Sequence, residues 1–149
     1  MHICRNGLII TSALSLAAAQ PASGDTSFLR PDEGQEDSER GCVWYDIRLL
    51  DVEGKGWTET EAFYDRLPAK AKGVVPDPVW DLSRHSAGLC VRFVTDATKI
   101  DARWTLRSNS LAMNHMPATG VSGLDLYVRQ ANGEWHWLAV GRPEKAPTN

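Results

Sequence analysis

From Gly41 onward the hydrophobic residues fall in short runs that alternate with polar ones. In Lys99–Arg107, "KIDARWTLR", Ile100, Ala102, Trp104 and Leu106 face one way; Asp101, Arg103, Thr105 and Arg107 face the other. A period of two is the mark of a strand with one buried face. "CVWYDIRLLDV", beginning at Cys42, reads as a strand with Val43, Tyr45, Ile47 and Leu49 on one side. "GLCVRFVT" alternates Leu89, Val91 and Phe93 against Cys90, Arg92 and Val94, and "TDATK" after it suits a tight reversal. The strongest local signal is "LDLYVRQANGEWHWLAVG". Asn132-Gly133 sits between two alternating runs and predicts a two-residue type I′ hairpin, because both residues tolerate positive φ. Leu124, Leu126 and Val128 make an inner row, with Trp135, Trp137 and Ala139 as its partner row. One segment, "TETEAFYDRLPAKAKG", invites a helix that Pro68 stops. The pattern predicts an all-β chain, a β-sandwich or jelly roll.

The first residues follow another pattern. "MHICRNGLIITSALSLAAAQPASG" has a basic start at Arg5, an apolar run and a close of small residues, the layout of a secretory signal peptide over residues 1–24. The run is short for a bilayer span, which takes roughly 20 apolar residues; an uncut anchor is the alternative. The expected destination is secreted or periplasmic, with no membrane contact after cleavage. Residues 25–41 are acidic, with Asp32, Glu33, Glu36, Asp37 and Glu39, and read as a flexible linker. The folded part is expected over residues 42–149, a length that suits one domain.

Composition narrows the function. Net charge is −3 with 23% charged residues, so there is no concentrated basic face to recruit nucleic acid. Cys4 leaves with the leader, so Cys42 and Cys90 are the remaining cysteines. They either pair, as export permits, or stay separate thiols, and two isolated cysteines favour the unpaired state. His85, His115 and His136 lie far apart without zinc-type spacing, and neither a metal nor another cofactor is expected.

His115, Ser122 and Asp125 lie close in sequence and raise the question of a catalytic triad. No G-x-S-x-G turn surrounds Ser122, and strand phase points Asp125 and Tyr127 away from Leu124 and Leu126. No catalytic residue is therefore assigned. Asp81, Arg84 and His85 beside Trp80 form a second polar cluster, read as a turn capping one edge of the sandwich.

Three stretches carry a family resemblance: "RLPAKAKGVVPDPVWDLSRHSAGLCVRF", "LAMNHMPATGVSGLDLYVR" and "EWHWLAVGRP". They resemble the N-terminal β-sandwich in front of bacterial SGNH-hydrolase (GDSL-type) esterases. The signature is Gly-x-Asp-Leu-Tyr, here Gly123-Leu124-Asp125-Leu126-Tyr127. The resemblance implies a truncated member whose sandwich lacks its last strands. Serine nucleophile, oxyanion donors and Asp-x-x-His pair would then belong to a catalytic domain absent from this chain. It implies a non-catalytic accessory domain, partnered in cis or in trans by an SGNH catalytic domain, that packs on or completes the substrate cleft. Acylated carbohydrate or another ester is the expected substrate. Asn114, His115, Met116, Asp125, Tyr127, Arg84 and His85 are the candidate contact residues. The alternative is a free-standing carbohydrate-binding module, raised by six tryptophans; most of these are expected in the core from their strand phase.

Overall fold

A computed structural model describes residues 2–6 and 29–146. Among the described residues the fold is all-β, with the strands in three small sheets. It divides into two compact units. One takes in Arg30–Tyr45 and the chain from Ala97 on, together with the first strand; the other runs Asp46–Asp96.

The first unit holds a four-stranded sheet ordered β2-β3-β1-β6, made of β1 (His2–Asn6), β2 (Gln35–Asp37), β3 (Cys42–Asp46) and β6 (Lys99–Arg103). β1 runs antiparallel to β6 from His2↔Arg103 to Asn6↔Lys99. Of the expected leader only this strand is described; residues 7–24 lie outside the described residues. Within the expected linker, Pro31–Glu33 forms a 3₁₀ turn and β2 pairs with β3. The sheet's centre is Trp44. Its indole Nε1 donates to Asp37 Oδ2 at 3.0 Å, and the Arg103 guanidinium lies 4.7 Å from its ring. That indole hydrogen bond, first, and the Arg40 backbone N–H hold the Asp37 carboxyl below its ordinary range.

Cys42 is buried and disulfide-bonded, whereas Cys90 is an exposed free thiol. The two do not pair with each other, as expected, but Cys42 is not the free thiol that reading implied.

The second unit begins where β3 stops. The carboxylate of Asp46 accepts from Arg48 N at 2.9 Å and turns Ile47–Leu49 into a 3₁₀ turn, ending the predicted run through Val52 early. Two short strands, β4 (Val52–Glu53) and β5 (Cys90–Val91), pair antiparallel, and Arg92 clasps Glu53 with two N–H groups beyond them. β5 is much shorter than "GLCVRFVT" predicts, and Val94 is almost wholly exposed. "TDATK" joins no hairpin, since β5 pairs with β4 and β6 with β1.

The expected helix between Thr58 and Gly73 is replaced by turns and a 3₁₀ piece at Ala69–Ala71. Asp65 is the reason: its Oδ2 accepts from Ala62 N at 2.9 Å, a local bond that competes with a helical one. The α-helix of this unit is instead α1 (Asp77–Ser83), opened by Pro78 in its first turn. α1 presents Trp80 inward, and Ser83 Oγ donates to Trp80 O at 2.6 Å.

Tyr64 carries an unsatisfied group. Its hydroxyl is buried with no hydrogen-bond partner among the described residues. Burial, and then the nearby Asp46 charge, push its ionisation above the ordinary tyrosine value. Tyr64→Phe removes an orphaned polar atom that costs about 1–3 kcal/mol, so thermal denaturation is expected to show an equal or higher Tm. Asp46 titrates far below its ordinary 3.8, at about 2, chiefly because the Arg48 side chain donates to it. A depressed carboxyl contributes stability that is complete above 3.8 and is lost as pH falls through 2. Asp46→Asn is therefore expected to destabilise the chain at neutral pH, by no more than about 1 kcal/mol for so exposed a pair. Urea unfolding at both pH values is expected to show that gap closing near pH 2.

The first unit ends in a hairpin. α2 (Ala118–Ser122) leads through Gly123 into β7 (Leu124–Arg129), which pairs with β8 (Trp135–Gly141). The turn is not type I′, because among the described residues no non-glycine has positive φ. Gly133 N donates to Gln130 O at 2.9 Å, Gly133 alone takes a left-handed φ of 89°, and Gln130 N donates to Glu134 O at 2.9 Å. This is a three-residue loop with a glycine bulge. Asn132 contributes through its side chain: its Oδ1 accepts from Glu134 N at 3.0 Å.

Gly123 marks a close backbone approach. A Cβ there would lie 2.3 Å from Thr119 O and 2.9 Å from Gly141 O. Backbone cannot move aside as a flexible side chain can, so Gly123→Ala is expected to cost about 1–3 kcal/mol. Chemical denaturation, with hydrogen exchange over 124–141, checks this.

Candidate functional site

The residues singled out from the sequence fall into both units. Asn114, His115, Met116, Asp125 and Tyr127 belong to the first, Arg84 and His85 to the second.

In the second unit Arg84 follows α1 at its C-cap. Its Nε lies 3.4 Å from Asp65 Oδ1, its Nη1 3.8 Å from Glu61 Oε2, and its guanidinium 5.9 Å from the Trp80 ring centre. Lys72 also binds Glu61, at 2.7 Å. The hydrogen bond from Lys72 lowers the Glu61 carboxyl from its ordinary value, outweighing burial, which raises it. The cluster at Trp80 thus uses Asp65 and Glu61. Asp81 and His85 are both exposed and take no part. Sequence spacing favoured Asp81 because it lies one turn from Arg84; the 19-residue separation of Asp65 from Arg84 hid the true partner.

In the first unit the "MNHMP" segment is a tight turn. Met113 N donates to Met116 O at 2.9 Å and Met116 N to Met113 O at 3.2 Å, which puts Asn114 and His115 at its tip. Both methionines are exposed, Met113 more (56%) than Met116 (38%). Pro117 then caps α2. Ser122 closes α2, and its carbonyl accepts from Trp104 Nε1 at 2.9 Å. Asp125 Oδ1 accepts from Trp137 Nε1 at 3.2 Å. Among the described residues no side-chain hydrogen bond joins Ser122, His115 and Asp125. None of their groups forms a metal-binding cluster, and no helix is long and apolar enough to cross a membrane, again among the described residues.

The strand register explains Asp125 and Tyr127. Leu124↔Gly141, Leu126↔Ala139 and Val128↔His136 share one face; Asp125↔Val140, Tyr127↔Trp137 and Arg129↔Trp135 share the other. A bulge between Leu126 and Tyr127 leaves Leu138 opposite nothing. Trp135 and Trp137 therefore belong to the outer Asp125/Tyr127 face, not to the inner leucine row with Ala139. Trp57 is exposed too, while Trp44 and Trp80 are buried and Trp104 is half-buried. The outer tryptophans were missed because a period-two count cannot register an extra residue.

Each position of Gly123-Leu124-Asp125-Leu126-Tyr127 now has a structural role. Gly123 admits no Cβ, Leu124 and Leu126 are the half-buried inner row, Asp125 holds the Trp137 indole, and Tyr127 lies outside opposite that ring. No curated protein and no solved structure matches the chain. A family model does, over residues 42–149: the GxDLY domain, described as the N-terminus of the SGNH-hydrolase-type esterases. With that match over most of its length, the chain belongs to the family of GxDLY domains that form the N-terminus of SGNH-hydrolase-type esterases.

Proposed function

We propose that this chain is a non-catalytic accessory domain of an exported esterase. In this reading the Met113–Met116 turn docks on an SGNH catalytic domain, and the outer face of β7 and β8 lines the rim of its substrate cleft. The observation that carries the reading is the exposed turn. Two methionines held out from a fixed two-bond turn, with Asn114 and His115 between them, present adaptable apolar surface with polar tips. Methionine is enriched at the cores of protein interfaces. Family membership supplies the partner class: the domain forms the N-terminus of esterases whose chemistry is of the SGNH type.

The chemistry of ester hydrolysis is then the partner's. This chain contributes position. Its turn is pinned by backbone bonds, so docking orders few new side chains, and little of the interaction free energy is lost to that ordering. Arg84 takes a structural part in this reading, because Glu61 and Asp65 already engage its guanidinium. His85, exposed after α1, stays a candidate contact. A free-standing carbohydrate-binding module differs in requiring no partner.

Mixing the purified chain with the separately expressed SGNH catalytic domain of a two-domain relative tests the proposal. Co-elution on gel filtration is expected, with loss on Met113→Ser/Met116→Ser and weakening on His115→Ala. No association under any tested salt condition sinks the docking reading. Hydrolysis of p-nitrophenyl acetate by the chain alone, abolished by Ser122→Ala, sinks the non-catalytic one.

A further inference from the structure

The outer face of the hairpin holds three aromatic rings in the open. Tyr127, Trp135 and Trp137 are 51%, 47% and 57% exposed. Tyr127 lies directly opposite Trp137, and Arg129 directly opposite Trp135. Exposure of this kind on a loosely held hairpin would mean little, but this hairpin is anchored from behind. Leu124 and Leu126 are half-buried on the inner face, Trp104 holds the Ser122 carbonyl just before β7, and the Trp104 ring closes on Gly141 at the end of β8.

The outer side chains are also fixed in orientation. Asp125 Oδ1 accepts from Trp137 Nε1 at 3.2 Å, which sets the plane of that indole. Arg129 Nε donates to Gly133 O at 3.3 Å across the turn. Among the described residues Asp125 uses one carboxylate oxygen here and Arg129 one N–H, so each keeps hydrogen-bonding capacity for a ligand. One carboxylate and one guanidinium flank the rings, so the face carries no net sign.

We propose that this face is a binding platform for a neutral oligosaccharide. A pyranose ring has an apolar face of C–H bonds and a rim of hydroxyls. The negative quadrupole of an aromatic face attracts those polarised C–H groups. Tyrosine and tryptophan supply large contact area at little entropic cost, having two side-chain torsions each. Trp135 and Trp137 are two residues apart on one strand, about 6.8 Å along it, comparable to one step of a sugar chain. The Asp125 carboxylate accepts from hydroxyls and the Arg129 guanidinium donates to them. A hydroxyl-rich ligand replaces the water on both charges in kind.

The site belongs to this chain alone, and its failure is separable from failure of the docking reading. Isothermal titration of the purified chain with cellohexaose and with xylohexaose is the test. Saturable binding to at least one is expected. Trp137→Ala and Tyr127→Ala are each expected to weaken it roughly tenfold, while Trp57→Ala, an exposed tryptophan of the other unit, leaves it unchanged. Asp125→Asn keeps every ring, and is expected to weaken binding with an unaltered circular-dichroism spectrum, so the site is probed even if a ring deletion unfolds the hairpin. No binding of either hexasaccharide overturns the proposal. So does binding indifferent to Trp137 and Asp125, or self-association of the chain that Trp137→Ala abolishes, which would make the face a protein contact.

Discussion

The space denied at Gly123 governs the C-terminal half of the first unit. Where any side chain would stand, the carbonyls of Thr119 and Gly141 already stand, so the first turn of α2 and the end of β8 meet at one residue. Trp104 reinforces the point from the sheet side, its indole N–H on the Ser122 carbonyl and its ring over Gly141. With the start of β7 and the end of β8 clamped, the hairpin has little freedom to slide. Register in a two-stranded ribbon is otherwise weakly specified. The bulge at Leu126/Tyr127 takes up the remaining residue, and so decides which side chains the outer face carries.

That chain of constraint explains why the same few residues serve both the structure and the proposed recognition. Asp125 is an exposed carboxylate. Here it fixes an indole. The ring it fixes lies opposite Tyr127, whose place on the outer face follows from the phase set at Gly123. A substitution at Gly123 would therefore reach the aromatic face without touching it, by relaxing the register that presents it.

The all-β class and the hairpin near the end were legible because strand alternation and an Asn-Gly turn are local signals. What escaped were the effects of side chains bonding the backbone. Asp46 turned the chain out of its strand at Ile47, and Asp65 took the Ala62 N–H from the expected helix. Asn132 held the turn through its side chain rather than through a left-handed backbone. The sequence marked Asp125 and Tyr127 as outward and distinctive, yet it could not place the tryptophans beside them, since a bulge leaves no trace in a period-two count. Arg84 was legible as part of a polar cluster; its partners, 19 and 23 residues upstream, were not.

The proximity of His115, Ser122 and Asp125 in sequence loses its meaning for a definite reason. A triad needs its carboxylate to orient the base, and the Asp125 carboxylate accepts from an indole instead. It needs its serine on a turn facing an anion pocket; Ser122 ends a five-residue helix, with its carbonyl engaged by Trp104 and the crowded Gly123 directly behind it. It needs its histidine within reach, and His115 sits at the tip of a turn whose two bonds close on the methionines. Each residue is used, but by the scaffold, and the outer face carries the rings of Tyr127, Trp135 and Trp137. Rings bind and orient; they do not supply a nucleophile. Under the proposed function, that face would hold a substrate for another domain to cleave.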